Sequence, residues 1–449
     1  MKQLSRQLAV GPGGLRVLID NENGLAGKQA PDELCAGGCL QLAVTGGPAK
    51  DNRTAKRIEA AETNAWLART FAGTYTRALG AAVTVGCRRP PFQSMRILFV
   101  VPYPMGKAPS QRFRFEQYLD FLTQEGHSWK MAPFISDRTW SILYKPGHTV
   151  AKATGILAGF ARRVGLLFTV PSYDYVFIHR EASPIGPPVF EWIISKVLGK
   201  RVIYDFDDAI WIPNTSEANK IVAGVKWHHK VGSICRWAYK VSCGNAYLRD
   251  YVRQFNSSAV VNPTTIDTVH LHNQVKDQSQ SGRLVIGWTG THSTLKYLHQ
   301  VVPVLAKLEQ EFDFEFRVIS NQPPELPLRS LVYVPWRKET EIPDLLAFHV
   351  GLMPLEDDPW AKGKCAFKAL QYMALGIPAL VSPVGMNTEV VEEGRNGNVC
   401  STPKQWEVSL RRLLADPALR QEMGHHARQT IEQRYSVVAN RRNFMELFS

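Results

Sequence analysis

The 449-residue sequence contains no window of about 20 residues that is both apolar and free of charge, so a membrane-spanning helix is not expected. The nearest approach, residues 151–170, is interrupted by Lys152, Arg162 and Arg163. Cysteine is scarce: seven residues, an odd number, stand at 35, 39, 87, 235, 243, 365 and 400, which argues against a disulfide framework and fits the reducing cytoplasm. Cys35 and Cys39 lack a second Cys/His pair nearby, so no metal site is expected there. Acidic residues are outnumbered, 40 against 53 Lys and Arg, for a formal charge of +13. This excludes an acidic tail and leaves anionic ligands and anionic membrane surfaces open as partners. The basic residues are scattered rather than clustered into a recognisable module, so nucleic acid is not expected as a partner. Low-complexity tracts and short repeats are also lacking.

What remains is ordinary globular composition, 45% hydrophobic and 21% charged, in a chain too long for one core. Residues 1–94 are Gly- and Ala-rich with a single Trp and little periodicity, whereas Met95 is followed at once by the strand-like Arg-Ile-Leu-Phe-Val-Val-Pro. The expectation is that residues 1–94 form an N-terminal extension, disordered or produced by upstream translation, and that the folded body begins at 95. That body keeps a basic balance, 41 Lys and Arg against 33 Asp and Glu.

From Met95 onward, strand-like runs at 97–101, 175–179, 201–204, 240–243 and 259–261 alternate with helical patterns. One of these places Phe115, Tyr118, Leu119 and Leu122 at helical spacing behind Ser110, read as an N-cap. A polar segment, residues 273–282, then separates this half from a second alternation with strands at 284–289, 314–320, 331–334, 350–354 and 379–382. The pattern predicts an α/β protein of two doubly wound, Rossmann-like domains, 95–275 and 276–425, followed by a terminal helical segment, 426–449. Within residues 151–170, Ile156, Leu157, Phe160, Val164, Leu167 and Phe168 approximate one helical face. Such a face belongs either to a core helix or to one lying on a membrane surface.

Four constellations carry candidate chemistry. Residues 286–294 form a strand and a Gly-punctuated turn, where Gly290 lets backbone approach an anion, Ser293 or Thr294 can cap the following helix, and Lys296 lies one turn inside. Residues 354–378 place Lys364, Lys368 and Gln371 at spacings of four and three, converging on one helical face at a strand's C-terminal edge. Tyr204-Asp-Phe-Asp-Asp-Ala-Ile-Trp211 follows a strand with paired carboxylates, Asp207 and Asp208, suited to binding or deprotonating an acceptor hydroxyl, to capping the next helix, or to a metal. The loop with Gly106, Ser110 and Arg112, and the strand end His179-Arg180-Glu181, are candidates to line a cleft, Arg180 and Glu181 also being a candidate surface ion pair.

The block Lys368-Ala-Leu-Gln-Tyr-Met-Ala-Leu-Gly-Ile-Pro-Ala-Leu-Val-Ser-Pro-Val-Gly385, with Glu389 and the 394–397 glycines after it and Val260-Val-Asn-Pro-Thr-Thr-Ile-Asp267 before the linker, resembles the family 4, group 1 retaining glycosyltransferases of GT-B fold. The resemblance spans residues 95–449. It implies a nucleotide-diphosphate sugar as donor on the second domain, with Gly385 and Glu389 beside it, and a glycan or lipid-linked glycan acceptor on the first. It also implies no required cofactor or metal, a role in cell-surface polysaccharide synthesis at the cytosolic membrane face, and a terminal helix crossing back onto the first domain. The family's two glutamates map to Gly363 and Gln371, and its Arg and Lys after the first strand are replaced by Trp288 and a displaced Lys296. Competing readings are a GT-B sugar-nucleotide epimerase or hydrolase and a catalytically silent, nucleotide-binding scaffold.

Overall fold

A computed structural model describes residues 39–44, 58–61, 83–86, 94–143, 145–213, 227–279 and 282–449. The chain divides into two units, Met1–Ser94 and Met95–Ser449. In the first, β1 (Cys39–Val44), β2 (Ile58–Ala61) and β3 (Val83–Gly86) pair antiparallel in the order β2-β1-β3. The expected disordered extension otherwise falls on residues outside those described.

The second unit holds two six-stranded sheets, parallel throughout. One has the order β5-β4-β6-β7-β8-β9, built from β4 (Arg96–Val101), β5 (Ser128–Pro133), β6 (Tyr175–His179), β7 (Arg201–Phe206), β8 (Lys240–Cys243) and β9 (Ala259–Val261). The other has the order β12-β11-β10-β13-β14-β15, from β10 (Leu284–Thr289), β11 (Phe314–Ser320), β12 (Leu331–Pro335), β13 (Val350–Met353), β14 (Ala379–Val381) and β15 (Gly397–Val399). Central strands such as β4 and β6 are buried along nearly their whole length, as expected where helices cover both faces of a parallel sheet. The two doubly wound domains predicted from the alternation are therefore present. The order reverses beside β4 and beside β10, so the C-terminal strand ends there open a crevice in each lobe.

Two glycines let helices close on the second sheet. A Cβ on Gly287 would strike the Phe348 ring, and one on Gly351 would strike Tyr372. Tyr372 accepts a hydrogen bond from the Thr289 N–H (3.0 Å) and donates to the Leu352 carbonyl (3.3 Å), pinning helix Phe367–Ala374 to β10 and β13. Helix Val437–Met445 packs on the first sheet, with Phe444 stacked on Tyr118 at 4.2 Å and Val437, Leu447 and Phe448 joining the Ile97, Phe99 and Phe177 core. The Thr265 motif serves this junction: its hydroxyl bonds Tyr118 (2.9 Å), and Ile266 bridges to Ser436.

Ser110 is not an N-cap. Helix Pro109–Arg112 begins one residue earlier, after Ala108, because Pro109 fixes a helical φ at the first position.

Candidate active site

The C-terminal edges of the two sheets meet through side chains from both lobes. Arg112, the last residue of helix Pro109–Arg112, reaches Glu341, which opens helix Glu341–Leu346. Glu341 in turn accepts from the Gln371 amide at 3.4 Å. Asn245 donates to the carbonyls of Lys362 and Lys364 (3.2 and 3.1 Å), the Cys365 thiol contacts the Asp207 carbonyl at 3.2 Å, and Phe113 lies 4.6 Å from Phe367. A Cβ on Gly363 would come 2.7 Å from the Ala209 backbone nitrogen, and one on Gly106 would come 3.0 Å from the Lys338 ammonium.

This junction gathers the lysine constellation. Lys364 lies in the turn before the helix rather than on it, because the helix starts only at Phe367 after Ala366 adopts a left-handed φ of 53°. Its ammonium is 4.0 Å from Asp208 and 5.7 Å from the Trp360 ring centre, with the side chain 16% exposed. Lys368, on the first turn, places its ammonium 5.4 Å over the Trp288 indole. Burial, and then the Lys364 charge, pull its pKa down to about 7 against the opposing pull of Asp208. Both lysines are half-buried. Trp288 is thus buried beneath the Lys368 ammonium, and a Cβ on Gly290 would meet its indole at 2.5 Å.

On the first lobe, Arg180 adopts a left-handed φ of 58° at the end of β6 and donates to Asp207 at 2.7 and 3.0 Å and to Asp208 at 2.6 Å. It does not pair with Glu181, which goes to Lys230 at 2.7 Å. The two aspartates therefore face Arg180 rather than a helix terminus among the described residues. Burial raises the Asp207 carboxyl, but Arg180, His179 and Arg114 outweigh it and hold it below the usual range. Asp207 is a firmly ionised anion with little basicity.

His179 is fully buried beneath the cleft, its Nδ1 2.8 Å from Asp205. Asp205 also receives Arg114 and the Ser242 hydroxyl (2.6 Å), and Arg114 reaches the Asn262 carbonyl. Burial opposes the ionised Asp205, yet Arg114 and His179 hold its pKa far below the carboxylate range. This network stiffens the strand ends that carry Arg180 and Asp207.

The remaining sequence candidates lie at the margins. Neither Ser293 nor Thr294 caps the helix: Thr291 is the N-cap residue of the 3-10 segment His292–Gln300, with Ser293 bonded to the Thr291 hydroxyl (2.9 Å) and Thr294 to its carbonyl (2.9 Å). Lys296 is 57% exposed and 3.9 Å from Glu356. Gly385 has φ 55° and packs against the Lys362 carbonyl, while Glu389 is exposed on helix Asn387–Val390. Ser110 is half-buried beside Arg112. Glu341, Arg114 and Asp205 were not singled out from the sequence. A lone glutamate opening a short helix has no local mark, whereas Asp205, adjacent to the Asp207 pair on a strand, offered one.

Among the described residues no group of His, Cys, Asp and Glu has a metal-holding arrangement, and no helix is long and apolar enough to cross a membrane. No curated protein sequence matches the chain. In fold it is similar to sucrose-phosphate synthase from Thermosynechococcus elongatus, with a TM-score of 0.59 and 13% identity over 79% of this chain and 98% of that one. It is also similar to a glycosyltransferase from Rickettsia africae (TM-score 0.57, 12% identity, 80% and 98% covered). A third similar structure is Anabaena HepE in complex with UDP and glucose (0.53, 14%, 78% and 98%). Residues 283–416, which contain the lysine turn, Gln371 and Glu341, match the family model described as Glycosyl transferases group 1. The second lobe is thus similar to group 1 glycosyl transferase domains, in a chain of GT-B fold.

Proposed function

We propose that the chain transfers a sugar, with retention of anomeric configuration, from a nucleotide-diphosphate sugar to a glycan or lipid-linked glycan, in the synthesis of a cell-surface polysaccharide at the cytosolic face of the membrane. The observation that carries this reading is the convergence of Lys364, Lys368 and the Gln371–Glu341–Arg112 chain where the C-terminal edges of two parallel sheets meet. Lys368 is poised for an anion, since burial makes its own charge costly until one arrives. A diphosphate held by Lys364, Lys368 and the start of helix Phe367–Ala374 leaves more easily, because these positive groups are fixed before charge develops.

Glu341 supplies the carboxylate that position 371 lacks: with the Gln371 amide it presents an acceptor and a donor suited to the two hydroxyls of a ribose. In the reaction the bond from the anomeric carbon to the β-phosphate oxygen breaks. The acceptor oxygen bonds that carbon on the same face, and its proton passes to the departing phosphate. This assigns proton removal to the leaving group and leaves Asp207, already ionised against Arg180, to orient the acceptor.

HepE was solved with UDP and glucose, so UDP-glucose is the first donor to test. A thermal-shift panel of nucleoside diphosphates and their sugars, followed by assay of nucleoside-diphosphate release with glycan and lipid-linked acceptors, tests the reading. Anomeric configuration of the product is read by NMR. Free sugar or an epimer as product would establish the hydrolase or epimerase instead. The replacement of paired carboxylates by Gly363 and Gln371 favours the silent-scaffold reading, which tight UDP binding without release on any acceptor would support.

A further inference from the structure

Helix Thr149–Leu167 presents two unlike faces. Inward, Gly159 lies so close to Phe134 that a Cβ would fall 2.6 Å from its ring, and Phe160 meets both Phe134 and Phe190. Arg163 is buried and donates to the carbonyls of Ala182 (2.6 Å), Val101 (2.7 Å) and Ala132 (2.9 Å). These carbonyls belong to the ends of β4 and β5 and to the loop after β6. The helix is therefore clamped at the edge of the first sheet that also bears Arg180, Asp207 and Asp208.

Outward, Val150, Leu157, Val164 and Phe168 are 78%, 66%, 51% and 82% exposed. At 100° per residue they fall on one line, and the positions between them on that face are Ala153, Thr154, Ala158, Ala161 and Gly165, all exposed and uncharged. The segment Val189–Val197, joined to this helix through Phe190, adds exposed Val189, Trp192 and Val197. An apolar surface of this extent is unusual on a soluble face.

Charge indicates what covers it. Residues 137–174 contain five Lys and Arg against two Asp, Asp137 and Asp174, one at each end. Arg138, Lys145, Arg162 and, on the neighbouring segment, Lys196 are exposed around the stripe. A second copy of the chain seated on this face would bring like-charged rims together, whereas an anionic bilayer satisfies both the apolar stripe and its basic border. The sequence left this helix between a core and a surface role, and the structure divides it: Ile156, Phe160, Leu166 and Leu167 turn inward while Leu157, Val164 and Phe168 turn out.

We propose that this face lies in the interface of an anionic membrane, placing the first lobe's strand ends beside the lipid headgroups. The contact bears on the proposed membrane location and not on the transfer chemistry, so its failure would remove the location while leaving sugar transfer to be decided by its own assay. The test is co-sedimentation of the full chain with vesicles of phosphatidylcholine alone and of an equal mixture with phosphatidylglycerol. The expected result is pelleting with the mixed vesicles that weakens as salt is raised, and little with phosphatidylcholine alone. Leu157→Asp and Phe168→Asp, made separately so that either decides if the other fails to fold, should each lower the bound fraction by about tenfold at an unchanged thermal midpoint, as expected for a charge forced toward the acyl region. Absence of pelleting with anionic vesicles, or binding undiminished in a folded variant, overturns the proposal. So does a dimer in sedimentation velocity that these variants dissociate, since a second copy would then own the face.

Discussion

Arg112 and Glu341 are 229 residues apart in the chain and 2.7 Å apart in space, with side chains only 9% and 6% exposed. This ion pair joins the short helix Pro109–Arg112 after β4 to the helix that carries the carboxylate beside Gln371. Breaking a buried pair by removing one member leaves an uncompensated charge, so Arg112→Ala should lower stability by about 3–5 kcal/mol, read by chemical denaturation. Arg112→Met combined with Glu341→Leu should recover most of that loss. A single-variant cost below about 1 kcal/mol would show the pair is open to solvent.

Lys368 gives a pH dependence with a defined sign. Its free-state pKa is held down to about 7, and a bound diphosphate favours the ammonium and raises it. Nucleoside-diphosphate binding then takes up a proton above about pH 7. Affinity should be level below that pH and fall by up to about tenfold per unit as pH rises through 7 toward the bound-state value. Calorimetry in buffers of different ionisation enthalpy measures the uptake. Lys368→Arg should flatten the profile, and Lys368→Ala should weaken binding by about 1–3 kcal/mol. A wild-type profile that is flat from pH 7 to 9 would remove Lys368 from the diphosphate site.

The resemblance maps Gly363 to a family glutamate, yet Gly363→Glu should not yield a working donor carboxylate. The added Cβ would come 2.7 Å from the Ala209 backbone, which cannot yield as a side-chain tip can. Even Gly363→Ala should loosen the lobe junction, seen as a lower thermal midpoint and lower nucleotide affinity. Full activity in Gly363→Glu would mean the lobes separate at this point during turnover.

Asp205 links stability to acid. Its folded-state pKa lies below the unfolded value, so its contribution is complete above about pH 4 and is lost as pH falls through and below that range. Asp205→Asn leaves Arg114 buried without its anion and should cost about 3–5 kcal/mol at pH 7. The gap between wild type and variant should narrow as denaturation is repeated at progressively lower pH below 4.

Most strands legible in the sequence are buried along apolar runs, as in β4, β6 and β10, while the edge strands β9 and β12 were legible from short runs rich in valine. β5 and β15 were not legible, for reasons of position. β5, Ser128–Pro133, is an edge strand, half-exposed and ending in proline, and β15 is three residues long at the opposite edge of its sheet. The lysine turn could be seen because Lys364, Lys368 and Gln371 lie within eight residues, although the left-handed Ala366 shifted the helix start past Lys364.

The sequence by itself determined the alternation of strand and helix and the turn at 363–371, because periodicity and turn chemistry are properties of neighbouring residues. Only the tertiary structure decided that Arg112 finds Glu341, that Arg180 takes Asp207 and Asp208 rather than Glu181, that His179 sinks onto Asp205, and which side of helix Thr149–Leu167 meets the core. Those choices depend on parallel crossovers that bring together strand ends scores of residues apart, where burial makes an unpaired charge too costly to leave and so selects each partner by position in space.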